Sequence, residues 1–409
     1  MEKRTSFVNY IDNELHFNGF KINDLKGKYQ TPLYLYSKNV LKENYLEFDQ
    51  AMQEAGINGQ ICFALKSNPN LALLKGLKEL GAGADIVSGG ELERALNAGI
   101  PADKIVFSGV GKTASEIDYG IQSGIYSFNV ESLEELDLIK ARAEHFNKEV
   151  AVAFRLNPKV KAMTHKHIST GFKTHKFGLL AQDIIEIANN SDYWGNVQLK
   201  GLSVHIGSQL TELEASLEAF KKLADCANAL PQELDFLDVG GGLGVNYAGD
   251  EAPGIMDYMN IVKEGLKSAN PKKVVFEPGR RIVAQSGMLI TSVIRNKSSE
   301  ECNFLIVDGG MNDFVRPSLY GAFHEIYEGT TSTNKIKTDI VGPICETADC
   351  FGESRNLAKM HMGDLLAISH TGAYGYSMAS HYNLRKKPIE LLINEDNKIE
   401  VINEQIGYE

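Results

Sequence analysis

A lysine at the end of an apolar run is a poor fit for a packing role. Residues 60–70 read Gln-Ile-Cys-Phe-Ala-Leu-Lys-Ser-Asn-Pro-Asn and deliver Lys66 just before turn-forming residues. A short run of this kind suits a strand covered on both faces in a parallel sheet. Lys66 can bury its stem and send its ammonium to water. Alternatively, a dry pocket can lower its proton affinity until the amine forms a Schiff base with an aldehyde. Further along, His205 sits in Val204-His-Ile-Gly-Ser-Gln209, where it is either a hydrogen-bonded core histidine or a flat ring for stacking. The run Asp238-Val-Gly-Gly-Gly-Leu-Gly244 is either a tight turn or a set of backbone amides able to close on a phosphate. It lacks the G-x-G-x-x-G spacing of a dinucleotide fold, which argues against a nicotinamide cofactor. Glu277-Pro-Gly-Arg280 places a carboxylate and a guanidinium three residues apart, as a plain ion pair or as two ligand contacts.

Something must hold these residues at one place, and the elements suggest what. Apolar strand candidates lie at 61–66, 85–88, 104–108, 126–130, 150–156, 202–206, 236–240 and 273–277. Amphipathic segments such as 91–98, 132–146, 181–189 and 213–229 follow most of them. About eight strand–helix units over roughly 220 residues match a closed (β/α)8 barrel better than an open doubly wound sheet. Residues 38–56 also carry a helical period, while 7–10 and 32–36 alternate like strands outside the barrel pattern. After Arg281 come strand candidates at 288–294, 304–307, 339–341, 365–369 and 390–393 with few helices. The expected organisation is N-terminal strands over 1–36, a barrel over 37–281 and a mostly β domain over 282–409 that the N-terminal strands join.

Barrels of this type do their chemistry at the C-terminal ends of the strands. Lys66, Asp85 with Ser88, Ser108, Arg155, His205, Gly240-Gly-Gly242 and Glu277 with Arg280 all fall there. An amine, a flat stacking group, a phosphate cradle and a carboxylate are the parts needed to hold pyridoxal 5'-phosphate. An acid on the ring nitrogen keeps it a pyridinium, so the ring can act as an electron sink.

Composition agrees with a soluble small-molecule protein. The 409-residue chain is 43% hydrophobic with a net charge of −11, which disfavours nucleic acid and anionic membrane surfaces as partners. No apolar stretch approaches the roughly 20 residues of a membrane span, and no signal peptide is visible. The five cysteines form no CxxC and no metal-ligand spacing, so no metal is expected, and their odd number favours a reducing cytoplasm over a disulfide framework.

The same residues carry a resemblance. Phe63-Ala-Leu-Lys-Ser-Asn68, His205-Ile-Gly-Ser-Gln209, Gly240-Gly-Gly242, Glu277-Pro-Gly-Arg280, Met311-Asn-Asp-Phe-Val-Arg-Pro-Ser-Leu-Tyr320, Gly342-Pro-Ile-Cys-Glu346 and Gly372-Ala-Tyr-Gly375 resemble the fold type III, alanine-racemase-like pyridoxal-phosphate decarboxylases. Ser169-Thr-Gly-Phe and Lys176-Phe-Gly178 are similar to the branch acting on diaminopimelate rather than ornithine. The resemblance implies a barrel plus β domain, a homodimer with shared active sites, and decarboxylation of meso-2,6-diaminopimelate to L-lysine. A related enzyme acting on carboxynorspermidine, ornithine or another diamino acid is the alternative. It further implies that Lys66 binds the cofactor aldehyde, His205 stacks on the ring, and Glu277 faces the ring nitrogen. Ser208, Gly241, Gly242 and Gly279 would serve the phosphate. Arg280, Arg316 and Tyr320 would hold the distal carboxylate of the substrate, Glu346 its distal ammonium, and Tyr374 would touch cofactor and substrate. Cys345, on its own readable as an inert thiol, would be the proton donor, entering from the partner subunit with Glu346. The sequence departs from the family pattern at Phe63, Ser67, Ser203, Tyr376 and Leu384. A cofactor carrier would need neither Cys345 nor the β domain, and a racemase would need a second proton donor for which no paired motif is present.

Overall fold

Eight short parallel strands close on themselves. In the computed structural model, which describes residues 7–160, 176–247, 252–299 and 302–403, they are β1 (Gly59–Ala64), β2 (Gly83–Ile86), β3 (Ile105–Phe107), β4 (Ser127–Val130), β5 (Val150–Arg155), β6 (Val197–Ser203), β7 (Phe236–Asp238) and β8 (Val274–Phe276). They pair in sequence order, and β8 returns to β1 through Val274↔Gly59 and Phe276↔Ile61. Inside, Cys62, Val106, Ala153, Phe236 and Val275 form a buried cluster, four of them from the odd strands. Layers built from alternate strands are how such a barrel fills its interior, making it a packed plug rather than a pore.

Polar caps explain how the chain leaves the first four strands. Asn70, Ser88 and Ser132 sit just before the helices Leu71–Glu79, Gly89–Asn97 and Leu133–Phe146 and accept from Ala72, Glu91 and Glu135 amides at 2.9, 3.2 and 3.1 Å. Thr113 and Glu116 form a reciprocal capping box ahead of Ala114–Ser123. Each cap satisfies an amide that the first helical turn leaves open. Ser88 is therefore a helix cap, a structural role for one of the polar residues expected at the strand ends.

Several expected elements shift. The strand expected at 202–206 is β6, which ends at Ser203, so His205 lies beyond it. The strand expected to carry Lys66 ends at Ala64, and Lys66 occupies a one-turn 3-10 helix, Leu65–Ser67. Helices Leu71–Glu79, Ala114–Ser123 and Ile255–Gly265 were not among those expected.

The chain divides into two units: Tyr45–Val245 with Glu251–Arg281, and Met1–Asn44 with Asn246–Asp250 and Ile282–Glu409. The second holds a nine-stranded sheet centred on the long strand Gly287–Ser298. Its buried first half pairs with Leu33–Ser37 and Leu365–Ile368; beyond a bulge at Val293/Arg295 its exposed half pairs with Asn303–Val307. Leu33–Ser37 also pairs in parallel with Ile389–Ile393, so an N-terminal strand is built into this β unit. A three-stranded sheet, Val8–Ile11, Glu14–Phe17 and Phe20–Lys21, packs Leu15 and Phe17 into the same core as Leu35, Met288 and Leu391.

Candidate active site

At the C-terminal mouth of the barrel lies a cavity of about 370 Å³ lined by Lys66, Ser108, Asn129, Arg155, Ser203, His205 and Glu277. The turn after β1 aims Lys66 so that its Nζ lies 2.6 Å from Oδ2 of Asp85, the third residue of β2. Asp85 is fully buried while the Lys66 side chain is 34% exposed, so the amine is paired on its inner side and open to the cavity.

Glu277 follows β8. It accepts from Ser108 Oγ at 3.2 Å and from Asn129 Nδ2 at 3.3 Å. Burial, reinforced by Asp238 and Asp85, pushes its carboxyl well above the usual range. A carboxyl in this setting keeps a proton that a basic ring nitrogen can share. His205 is held from two directions: Gly241 N–H donates to Nδ1 at 3.2 Å, and Arg155 Nη2 donates to its carbonyl at 3.3 Å. With Nδ1 accepting, the imidazole carries its hydrogen on Nε2. Burial, with the positive charges of Arg155 and Lys66, holds it far below the usual histidine range and therefore uncharged.

Glycines bring four strand-end loops together, those after β6, β7, β8 and β1. A Cβ on Gly241 would lie 2.1 Å from the Glu277 carbonyl oxygen, one on Gly242 2.3 Å from that of Gly207, and one on Gly279 2.8 Å from Ser67 Oγ. Gly240 and Gly242 also take φ of 68° and 102°, which favour glycine. Arg280 Nη2 donates to Ser208 Oγ at 2.9 Å, placing a cation and a hydroxyl beside this loop cluster.

The other five expected site residues belong to the β unit. Arg316 and Tyr320 share the short helix Arg316–Tyr320, with the guanidinium 5.7 Å from the Tyr320 ring and 5.3 Å from the Tyr247 ring. Cys345 and Glu346 are exposed on one turn, and the Tyr382 hydroxyl donates to Glu346. Buried Asp349 ties the two segments: its carboxylate accepts from Met311 N and from Ile344 N, each at 2.6 Å. Tyr374, between Gly372 and Gly375, has φ of 56°, a costly conformation for a bulky residue and one that collects at functional sites.

Sequence reasoning passed over Asn129, Asp238, Glu131 and Phe177 as site residues. Glu131 accepts from Arg155 Nη1 at 2.6 Å and from Gly178 N at 2.8 Å, and Phe177 lies 4.6 Å beneath the Arg155 guanidinium. The Lys176-Phe-Gly178 motif thus anchors Arg155 in the cavity wall; Ser169-Thr-Gly-Phe lies outside the described residues. The signal for Asn129 was available, since an amide inside an otherwise buried strand needs partners.

Several features fit pyridoxal phosphate. Lys66, His205 and Glu277 offer an amine, a neutral flat ring and an acid in one cavity. Asn129 Oδ1 and Ser203 Oγ, both from residues lining it, are buried and have no hydrogen-bond partner among the described residues. Residues 39–284 match the model of the pyridoxal-dependent decarboxylase pyridoxal-binding domain. The chain is 40% identical to the diaminopimelate decarboxylase of Aquifex aeolicus, covering 100% of this chain and 97% of the relative. It is 43% identical to that of Helicobacter pylori strain J99, covering 95% and 96%. A crystal structure of the Helicobacter pylori enzyme complexed with L-lysine superposes with a TM-score of 0.88 at 43% identity, covering 92% of this chain and 94% of that one. An amine, an acid and a glycine-lined loop cluster at one barrel mouth, with this similarity along the whole chain, place the protein in the diaminopimelate decarboxylase family of pyridoxal-dependent decarboxylases.

Proposed function

We propose that this chain decarboxylates meso-2,6-diaminopimelate to L-lysine and carbon dioxide with pyridoxal 5'-phosphate, as a homodimer whose active sites draw residues from both subunits. The observation that carries the reading is the single cavity in which Lys66, His205 and Glu277 converge. Relatives with 40% to 43% identity over nearly the whole chain bear the name of that activity. When bound, pyridoxal phosphate supplies an aldehyde for an amine and a conjugated ring that takes up the electron pair released at the substrate α-carbon.

The chain's own residues then divide the work. Lys66 supplies the amine that anchors the cofactor aldehyde, and Asp85 steadies it when it is free. His205 presents its ring face, and Glu277 holds a proton at the ring nitrogen. Ser208, Gly241, Gly242, Gly279 and Arg280 serve the phosphate. The Gly241 amide is engaged by His205 Nδ1, so its contribution is close approach of the loop as much as donation. Arg316 and Tyr320, with Arg280, read the distal carboxylate, since a planar guanidinium meets a carboxylate with two parallel bonds. Glu346 reads the distal ammonium, Tyr374 contacts cofactor and substrate, and Cys345 delivers a proton to the α-carbon. The exposure of Cys345 and Glu346 on one turn supports their service to a partner subunit's site.

All five cysteines are unpaired, which supports a cytoplasmic setting. Among the described residues no helix is long and apolar enough to cross a membrane. The test is direct: purified protein with pyridoxal phosphate and meso-diaminopimelate should release carbon dioxide and L-lysine in equal amounts. Turnover of ornithine with none of diaminopimelate would refute the substrate.

A further inference from the structure

Behind the cavity wall lies a second carboxylate that does not line the cavity. Asp238 ends β7, two residues beyond Phe236 of the buried layer, and is completely buried. Its Oδ1 accepts from Gly240 N at 2.8 Å and its Oδ2 from Asn129 Nδ2 at 3.1 Å. That same amide nitrogen lies 3.1 Å from Ser108 Oγ and 3.3 Å from Glu277 Oε1, so one amide bridges the two carboxyls. Two carboxylates bridged this closely in a dry setting resist being ionised together, so the pair retains one proton. The backbone amide of Gly240 favours the charged form of Asp238, while burial and the charges of Asp238 and Asp85 raise Glu277 further, so Glu277 is the member that keeps the proton.

We propose that Asp238 is a positioning residue that keeps a proton on Glu277, so that a ring nitrogen entering the cavity meets a carboxylic acid instead of a carboxylate. A ring nitrogen bound there would take that proton as the Glu277 O–H bond breaks and an N–H bond forms, with no change in total charge. The charge left on Glu277, with that of Asp238 bridged to it through Asn129, would favour the protonated nitrogen. Asp238 would thereby act on the ring's proton through Glu277 alone. Among the described residues, the charged and titratable groups around the pair include Asp85, Lys66, Cys62, Tyr126 and Tyr258. Burial pushes Asp238 itself up to about 6, so the pair loses its shared character below neutrality and keeps it above.

This inference rests on the proposed cofactor role of Glu277, but its test reads the cofactor-free protein and stands whatever the substrate. The side-chain carboxyls of Glu and Asp are labelled with carbon-13, the Glu277 signal is assigned by its loss in Glu277→Gln, and the spectrum is followed with pH. In the unsubstituted protein the Glu277 signal should remain that of an acid above neutrality and show a second inflection where Asp238 titrates. In Asp238→Asn the Glu277 midpoint should fall by about two pH units, as expected when an adjacent like charge is removed. With pyridoxal phosphate bound, the pH midpoint of the cofactor absorbance should move down in the same variant. A single-step Glu277 titration in the unsubstituted protein would overturn the proposal even if Asp238→Asn failed to fold. An unchanged Glu277 midpoint in a folded Asp238→Asn, checked by circular dichroism, would overturn it equally.

Discussion

Removing the Lys66 amine should cost more than chemistry. Asp85 is fully buried, its Oδ2 lies 2.6 Å from Nζ, and its Oδ1 has no hydrogen-bond partner among the described residues. Lys66→Ala therefore strands a carboxylate with its principal counter-charge gone. Breaking a buried pair by deleting one partner costs about 3–5 kcal/mol. Because the Lys66 side chain is 34% exposed and water screens it in part, the lower end of that range, about 3 kcal/mol, is the expected loss. The assay is urea unfolding of cofactor-free protein at pH 8 for the parent, Lys66→Ala, Asp85→Asn and the double variant. Lys66→Ala should show the expected loss of about 3 kcal/mol. The double variant should be more stable than the sum of the single losses, with a coupling of about 2 kcal/mol. Additive losses, or a Lys66→Ala protein as stable as the parent at pH 8, would refute the pairing. The same Lys66→Ala protein should also lose the borohydride-trapped cofactor adduct and nearly all turnover; a normal adduct would remove Lys66 from its proposed role.

Three more outcomes follow from the geometry. Glu277→Gln should slow decarboxylation far more than it weakens cofactor binding, measured by turnover against absorbance titration, and near-normal turnover would assign the ring nitrogen to another group. Arg316→Ala should lower kcat/KM for diaminopimelate by about 2–3 kcal/mol, the strength of a charge-assisted contact, and an unchanged value would take Arg316 out of the substrate site. Mixing equal amounts of inactive Lys66→Ala and Cys345→Ala chains should restore roughly a quarter of parental activity if sites are shared, because half the dimers are hybrids with one intact site. No recovery, with subunit exchange confirmed by tagged pull-down, would place each site within one chain.

The barrel was legible because its strands are covered on both sides, and continuous apolar runs such as 61–64 or 150–154 survive in the sequence without a partner to explain them. Lys66, His205 and Glu277 stood out as polar residues interrupting or ending those runs. Strand Cys350–Ala358 did not stand out, because a third of its residues are exposed and Gly352, Ser354 and Asn356 break any apolar alternation. Helix Ala114–Ser123 carried a readable Thr-x-x-Glu cap at Thr113 that was passed over. The network behind Glu277 was illegible for a different reason. Asn129 and Asp238 come from β4 and β7, 109 positions apart in the chain, and only the barrel's closure sets them 3.1 Å from each other.

Asp349 carries a consequence for more than one site. Through Met311 N and Ile344 N it joins the segment leading to Arg316 with the turn bearing Cys345 and Glu346. In the proposed dimer, a chain's Arg316 would serve its own site while its Cys345 and Glu346 would serve the neighbour's. A single buried carboxylate would then seat parts of two active sites at once. Losing it would release both segments together, loosening the seat of Arg316 and that of Cys345 in one stroke.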